Sequence, residues 1–146
     1  MKKKNYGFKQ GKFKPMNANK CESRDLTYRS SWELKFMQYC DLNEKILKWS
    51  SEEVVFKYKL NGKTHRYFTD FMIKTRNLND EIITTIIEIK PYKETQKPIK
   101  GKKKQSTFLR ECLTYQKNIA KWTYATAACK RRGWIFKILT EKDLFL

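Results

Sequence analysis

Apolar residues recur along this chain with two different periods, and the places where the period changes mark out its elements. The first regular stretch opens with Ser30-Ser31-Trp32-Glu33, which spells a capping box and predicts a helix from Ser30 to about Asp41. At 100° per residue Trp32, Phe36, Met37, Tyr39 and Cys40 share one broad stripe, with Lys35 and Gln38 on the other side. Glu33 falls inside that stripe, where an ionised carboxylate is costly unless something compensates it. Alternation then takes over. Glu53 to Leu60 and Lys63 to about Thr75 flank Asn61-Gly62, a type I′ hairpin signal. A turn around Asn77-Leu78-Asn79-Asp80 returns the chain through Glu81 to Lys90, and Pro91 ends that strand. Period-two alternation puts Tyr67, Phe71, Ile73, Ile83, Ile87 and Ile89 on one apolar face, with Asp70, Glu88 and Lys90 on the opposite face. Residues 91–105 read as a loop. A long helix follows from about Thr107 to Arg132, with Phe108, Cys112, Tyr115, Ile119, Trp122 and Cys129 at helical spacing and Gly133 as its stop. Trp134 to Leu139 reads as a last strand, and Glu141 to Leu146 as a tail or final turn. The order of helix, three antiparallel-connected strands, helix and strand predicts one α/β (α+β) domain over residues 21–146, behind an aperiodic segment 1–20.

Charge adds a partner to this picture. With 33 Lys+Arg against 15 Asp+Glu, the 146 residues carry a formal net charge of +18. That excess predicts a polyanion, because each phosphate neutralised by a Lys or Arg releases condensed counterions. Seven lysines fall in the first twenty residues, with Tyr6, Phe8 and Phe13 between them. This segment reads either as a mobile nucleic-acid arm, with Lys12 and Lys14 among its phosphate contacts, or as a solvating tail. Six more lysines (Lys93, Lys97, Lys100, Lys102, Lys103 and Lys104) occupy the loop after Lys90, where they suit phosphates better than base edges. No apolar run approaches the ~18 residues of a membrane span, so a soluble, unsecreted protein is expected.

Composition also narrows the chemistry. Cys21, Cys40, Cys112 and Cys129 lie far apart with no C-x-x-C pair, which argues for buried reduced thiols and against structural zinc. His65 is the single histidine, sits just past the Asn61-Gly62 turn, and has no nucleophile elbow or P-loop beside it. Any enzyme built on this chain therefore leans on carboxylates, lysine and metal.

A turn centred near Leu78 or Asn79 places Asp70 roughly opposite Glu88, at about 5 Å between Cβ atoms. Two carboxylates that close repel each other unless a cation lies between them, and Mg²⁺ accepts one or two carboxylates while keeping waters and substrate phosphates. In Glu88-Ile89-Lys90 the alternation returns Lys90 to the face of Glu88, where it can orient a water and stabilise added negative charge on a phosphate. Glu33 can complete the metal shell, although the capping box gives it a purely structural explanation too. Asp70 likewise has a simpler reading, as a polar residue paired with Lys90.

Asp70 followed by Glu88-Ile89-Lys90 resembles the PD-(D/E)XK nuclease signature, with Thr69 where the motif has proline and Glu33 as its helical acid. A longer resemblance runs through Tyr6-Gly7, residues 10–15, Thr27-Tyr28-Arg29-Ser30-Ser31-Trp32-Glu33, Asp70-Phe71, Ile87 to Pro91 and Leu139-Thr140-Glu141. These strings are similar to the head completion nuclease family of T-even-type tailed bacteriophages, and more distantly to transposon end-cleaving nuclease subunits. The resemblance implies a restriction-endonuclease-like core, with a mixed central sheet flanked by the N-terminal and the long helix. It also implies Mg²⁺-dependent hydrolysis of DNA, Mn²⁺ substituting, with catalytic roles for Glu33, Asp70, Glu88 and Lys90. Endo- and exonucleolytic action on packaged double-stranded DNA, after head filling and before head–tail joining, follows from it. So do neck or head-vertex proteins as partners, and a place in the host cytoplasm during assembly and at the head–tail vertex. Two other readings stay open: a junction-resolving or transposon-end endonuclease of the same fold, and a non-catalytic basic plug at that vertex.

Overall fold

Ser30 caps the first long element as its sequence requires, accepting a hydrogen bond from the Glu33 amide at 3.2 Å. Helix α1 then spans Ser31–Leu42 in the computed structural model, which describes residues 10–145. Phe36, Met37 and Cys40 are buried on its inner face, whereas Tyr39, expected in the stripe, is half exposed. Asp41 is buried beside them because it accepts the amides of Met16 and Asn17 at 2.9 and 2.8 Å. Lys20 finishes the same helix end, its ammonium donating to the carbonyls of Cys40, Asp41 and Asn43. Strand β1 (Gly11–Lys12) pairs antiparallel with β2 (Thr27–Tyr28), and Phe13 packs on the core. Residues 10–20 therefore belong to the fold, which corrects the mobile arm expected over 1–20. Lys2, Lys3, Lys4, Tyr6, Phe8 and Lys9 lie outside the described residues.

The Asn61-Gly62 hairpin forms as a type I′ signal demands, with φ of 52° and 76° at its two central residues. It joins β4 (Val55–Leu60) to β5 (Lys63–Phe68) in a sheet of their own. The unbroken strand expected from Lys63 to Thr75 is interrupted at Thr69-Asp70. There the Thr69 amide bonds Val54 and the Asp70 carbonyl accepts from the Glu52 amide, so the chain leaves one sheet and enters another. The second sheet has four strands in the order β3 (Lys48–Ser51), β6 (Phe71–Arg76), β7 (Ile82–Ile89) and β8 (Ile135–Leu139). Its β7–β8 pair is parallel and the others are antiparallel, which makes the sheet mixed. Strand β3, Lys48-Trp49-Ser50-Ser51, is too short and polar to stand out as an alternating run, and the sequence reading missed it.

Helix α2 (Gln105–Arg132) starts two residues before the expected Thr107 and stops at Gly133, whose φ of 70° is left-handed. A last turn, α3 (Glu141–Leu144), is closed by a capping box between Thr140 and Asp143. The two faces of the four-stranded sheet carry separate cores. On one, α1 packs Phe36, Met37 and Cys40 against Trp49, Phe71, Ile87 and Ile89. On the other, α2 and the hairpin pack Trp122, Cys129, Phe56 and Tyr67 against Met72 and Ile86. Strand β7 is thus buried on both faces from Thr84 to Ile89, which explains its near-continuous apolar run. Tyr67 sits in the α2 core and not with Phe71 and Ile87, because the break at Thr69-Asp70 separates its alternation from theirs. Ile119, expected in the α2 core, is 40% exposed, and fully buried positions of that helix begin only at Asn118. Among the described residues no helix is long and apolar enough to cross a membrane.

Candidate active site

The antiparallel register of β6 and β7 pairs Phe71 with Ile87 and Met72 with Ile86. One step past the end of that ladder brings Asp70 opposite Glu88, the pairing expected from the turn. Each residue is 1% exposed. Neither carboxylate is left to orient itself. The Ile89 amide donates to Asp70 Oδ2 at 2.7 Å, and the Tyr67 hydroxyl donates to Glu88 Oε2 at 2.6 Å. Burial, reinforced by the charges of Glu88 and Asp70, raises the Tyr67 pKa well above the usual phenol value and keeps that donor protonated. Lys90 Nζ lies 3.9 Å from Glu88 Oε1 with its side chain largely buried, so the two share a face as Glu-x-Lys alternation requires.

Glu33 is also 1% exposed, and its Oε2 accepts from the Ser30 hydroxyl at 3.3 Å. Arg29, just before the cap, donates through Nε and Nη2 to the two carboxylate oxygens of Glu52 at 3.0 and 3.2 Å. Its pKa is raised first by those hydrogen bonds, then by the charges of Glu52, Glu33 and Asp70. Glu33 and Asp70 therefore act on one guanidinium. Glu52 takes a left-handed backbone, φ 56°, and its amide holds the Asp70 carbonyl at 3.0 Å. Sequence reasoning missed Arg29, Glu52 and Tyr67. Arg29 was visible as a member of Tyr28-Arg29-Ser30-Ser31-Trp32-Glu33, and Tyr67 was assigned to the wrong face. Glu52 gave no signal, since nothing in the sequence marks its backbone turn.

Among the described residues, no three His, Cys, Asp or Glu side chains converge as a metal cage. Glu33 thus shares the buried field of Asp70 without joining it and Glu88 in a three-donor shell. The pair alone still fits Mg²⁺, which needs only one or two carboxylates and takes its other ligands from water and phosphate. Hard oxygen donors held in place by an amide and a phenol suit that ion and Mn²⁺ alike.

Beside this site runs a groove of about 1070 Å³ between α2 and residues 91–103. Trp32 and Pro91, chain neighbours of Glu33 and Lys90, stand in its wall. Of the loop lysines expected to hold phosphates, Lys93, Lys97 and Lys103 line the groove, and Arg110, not foreseen, joins them. Lys103 is tied to Glu111 at 2.7 Å. Lys100, Lys102 and Lys104 are exposed outside the lining. Lys12 is engaged with Asp25 and Thr27, and Lys14 is exposed.

Residues 43–141 match the family described as TnsA-like endonuclease N terminal. The chain is also 39% identical over 144 residues to the head completion nuclease of Enterobacteria phage T4, an alignment covering 92% of each protein. The mixed sheet flanked by α1 and α2 is consistent with a restriction-endonuclease-like fold.

Proposed function

The chain belongs to the family of TnsA-like endonuclease N-terminal domains, and from that premise we propose a Mg²⁺-dependent phage deoxyribonuclease whose site is Asp70, Glu88, Lys90 and Glu33. The observation that carries this reading is the buried Asp70, one step past the β6–β7 ladder, beside the buried Glu88 of β7, with Lys90 at their edge. Asp70 and Glu88 would hold Mg²⁺, or Mn²⁺ in its place, with Glu33 assisting from α1. When bound, such an ion lowers the pKa of a water and offsets charge on the scissile phosphate. The chain's own contribution is orientation. The Ile89 amide and Tyr67 hydroxyl stop the two carboxylates from turning away, and the Arg29–Glu52 pair fixes the backbone of Asp70. Lys90 supplies a fixed positive charge that positions the attacking water and stabilises the charge that builds up on the phosphate. Lys93 and Lys97 hold the phosphate backbone in the adjacent groove.

The T4 relative supports a role in head completion; on this reading the substrate is packaged double-stranded DNA before head–tail joining, cut endo- and exonucleolytically. Host cytoplasm, then the head–tail vertex with its neck proteins, is the corresponding setting. The match to TnsA-like domains favours one second reading, cleavage at transposon ends or branched junctions. Four-way junctions, linear duplex and blunt ends offered as parallel substrates separate the two. For the site itself, Asp70→Ala and Lys90→Ala are expected to lose cleavage by about 10²–10³-fold or more while binding DNA within a few-fold of the parent. Metal-dependent cleavage retained in both purified variants would sink the assignment.

A further inference from the structure

We propose that the β4–β5 hairpin is a second DNA-binding element, which grips the phosphate backbone of duplex DNA beside the cut. This rests on the nuclease reading above and adds a surface that neither the N-terminal lysines nor the loop lysines provide. From Val55 to Phe68 the hairpin carries four cations, Lys57, Lys59, Lys63 and Arg66, and no acid. Its register places Phe56 opposite Tyr67 and Lys57 opposite Arg66. The first pair is buried in the α2 core, so the second, one residue along each strand, stands on the outer face and is exposed.

Like charges directly opposite one another destabilise a strand pair, and a two-stranded ribbon has little stability to spare. Some cations elsewhere have acidic partners: Lys12 pairs with Asp25, Lys74 with Glu22, Arg76 with Asp80 and Lys103 with Glu111. None of the hairpin's four makes an ion pair with another described residue. Facing like charges that cost the strand pair stability and meet no acid among the described residues are complementary to an external polyanion.

Position makes that polyanion the substrate. Arg66 precedes Asp70 by four residues, and between them Tyr67 turns inward to bond Glu88 at 2.6 Å. The inner face of β5 thus holds a site carboxylate while its outer face presents charge. A two-stranded ribbon has the width that the major groove of B-DNA admits, and lysines on both strands reach phosphates on either side of it. Because its cations are mostly lysines, the ribbon positions the duplex without choosing sequence.

The test uses the full chain carrying Asp70→Asn, so that DNA stays uncut, and follows duplex binding by fluorescence anisotropy across a salt series. Adding Lys57→Gln and Arg66→Gln should make the slope of log K against log[salt] shallower by about 1.8, and Lys59→Gln alone by about 0.9. The melting temperature of the double variant should equal or exceed its parent's, because the facing like charges are gone. The charge-keeping Lys57→Arg/Arg66→Lys variant should retain the parental slope. A slope unchanged in both the double and the Lys59→Gln variants, with the parent binding normally, overturns the hairpin assignment alone. A parent that binds no duplex at all overturns the nuclease reading and the hairpin with it.

Discussion

Asp70 stands across from Glu88 with 1% of each residue exposed, and Lys57 stands across from Arg66 with both in solvent. Both are facing pairs of like charge, brought near each other where Arg66 precedes Asp70 by four residues, and they are treated in opposite ways. The acidic pair is surrounded by donors: an amide on Asp70, a phenol on Glu88 and an ammonium at 3.9 Å from Glu88. The basic pair has no protein counter-charge among the described residues. Repulsion is strong away from water and weaker in it, so the buried pair needs an enclosing network while the exposed pair persists at a modest cost to the hairpin. On the proposed readings, one pair serves chemistry and the other meets a ligand.

The contrast breaks first, and most visibly, at the acidic pair. Asp70→Asn keeps an acceptor for the Ile89 amide but removes one of the two charges. Cleavage should fall by about 10²–10³-fold or more, while the melting temperature stays at or above the parent's because a buried repulsion is relieved. A large drop in melting temperature would mean that the carboxylate serves the fold. Tyr67→Phe sharpens the same point. It deletes one hydrogen bond to a buried carboxylate and should cost about 1.5–3 kcal/mol in urea unfolding, with a smaller loss of cleavage than Asp70→Asn.

Proton linkage gives a third, gentler prediction. Burial pushes the Cys40 thiol up from 9.0, and burial with the neighbouring carboxylates pushes the Tyr67 hydroxyl up from 10.0. Above those ordinary values the unfolded chain loses these protons while the folded one keeps them, so stability is full below about pH 9 and declines as pH rises. Urea midpoints measured from pH 8 to 11 should fall, and Tyr67→Phe should flatten the part above pH 10. The smallest effect belongs to the groove. Lys93→Gln and Lys97→Gln should each reduce the salt slope of duplex binding by about 0.9, with cleavage at low salt changed only a few-fold.

Much of this contrast was legible in the sequence, and what was not has a physical reason. Asn61-Gly62 and the 77–80 turn set two registers, so the facing of Asp70 and Glu88 followed from counting positions about a turn. Glu33 announced itself by standing in an apolar stripe, and it is buried. Tyr67 was misplaced because alternation cannot reveal that backbone bonds from Thr69 and Asp70 move the chain between sheets. The docking of residues 10–20 was hidden because long-range contacts, Asp41 with the Met16 and Asn17 amides and Lys20 with the end of α1, leave no period behind. No three acidic side chains converge as a metal cage among the described residues, and the placement of Glu33 was not legible because it comes from a helix whose angle to the sheet no local pattern encodes.

On the proposed reading, Asp70 and Glu88 share a divalent cation during DNA cleavage. The most direct test of that reading is conversion of supercoiled plasmid by the full chain in Mg²⁺, Mn²⁺, Ca²⁺ or EDTA, with Asp70→Ala as the blank. Nicked and linear products in Mg²⁺ and Mn²⁺, none in Ca²⁺ or EDTA, and none from Asp70→Ala are the predicted result. Cleavage that persists undiminished in EDTA, or that Asp70→Ala performs as well as the parent, would contradict it.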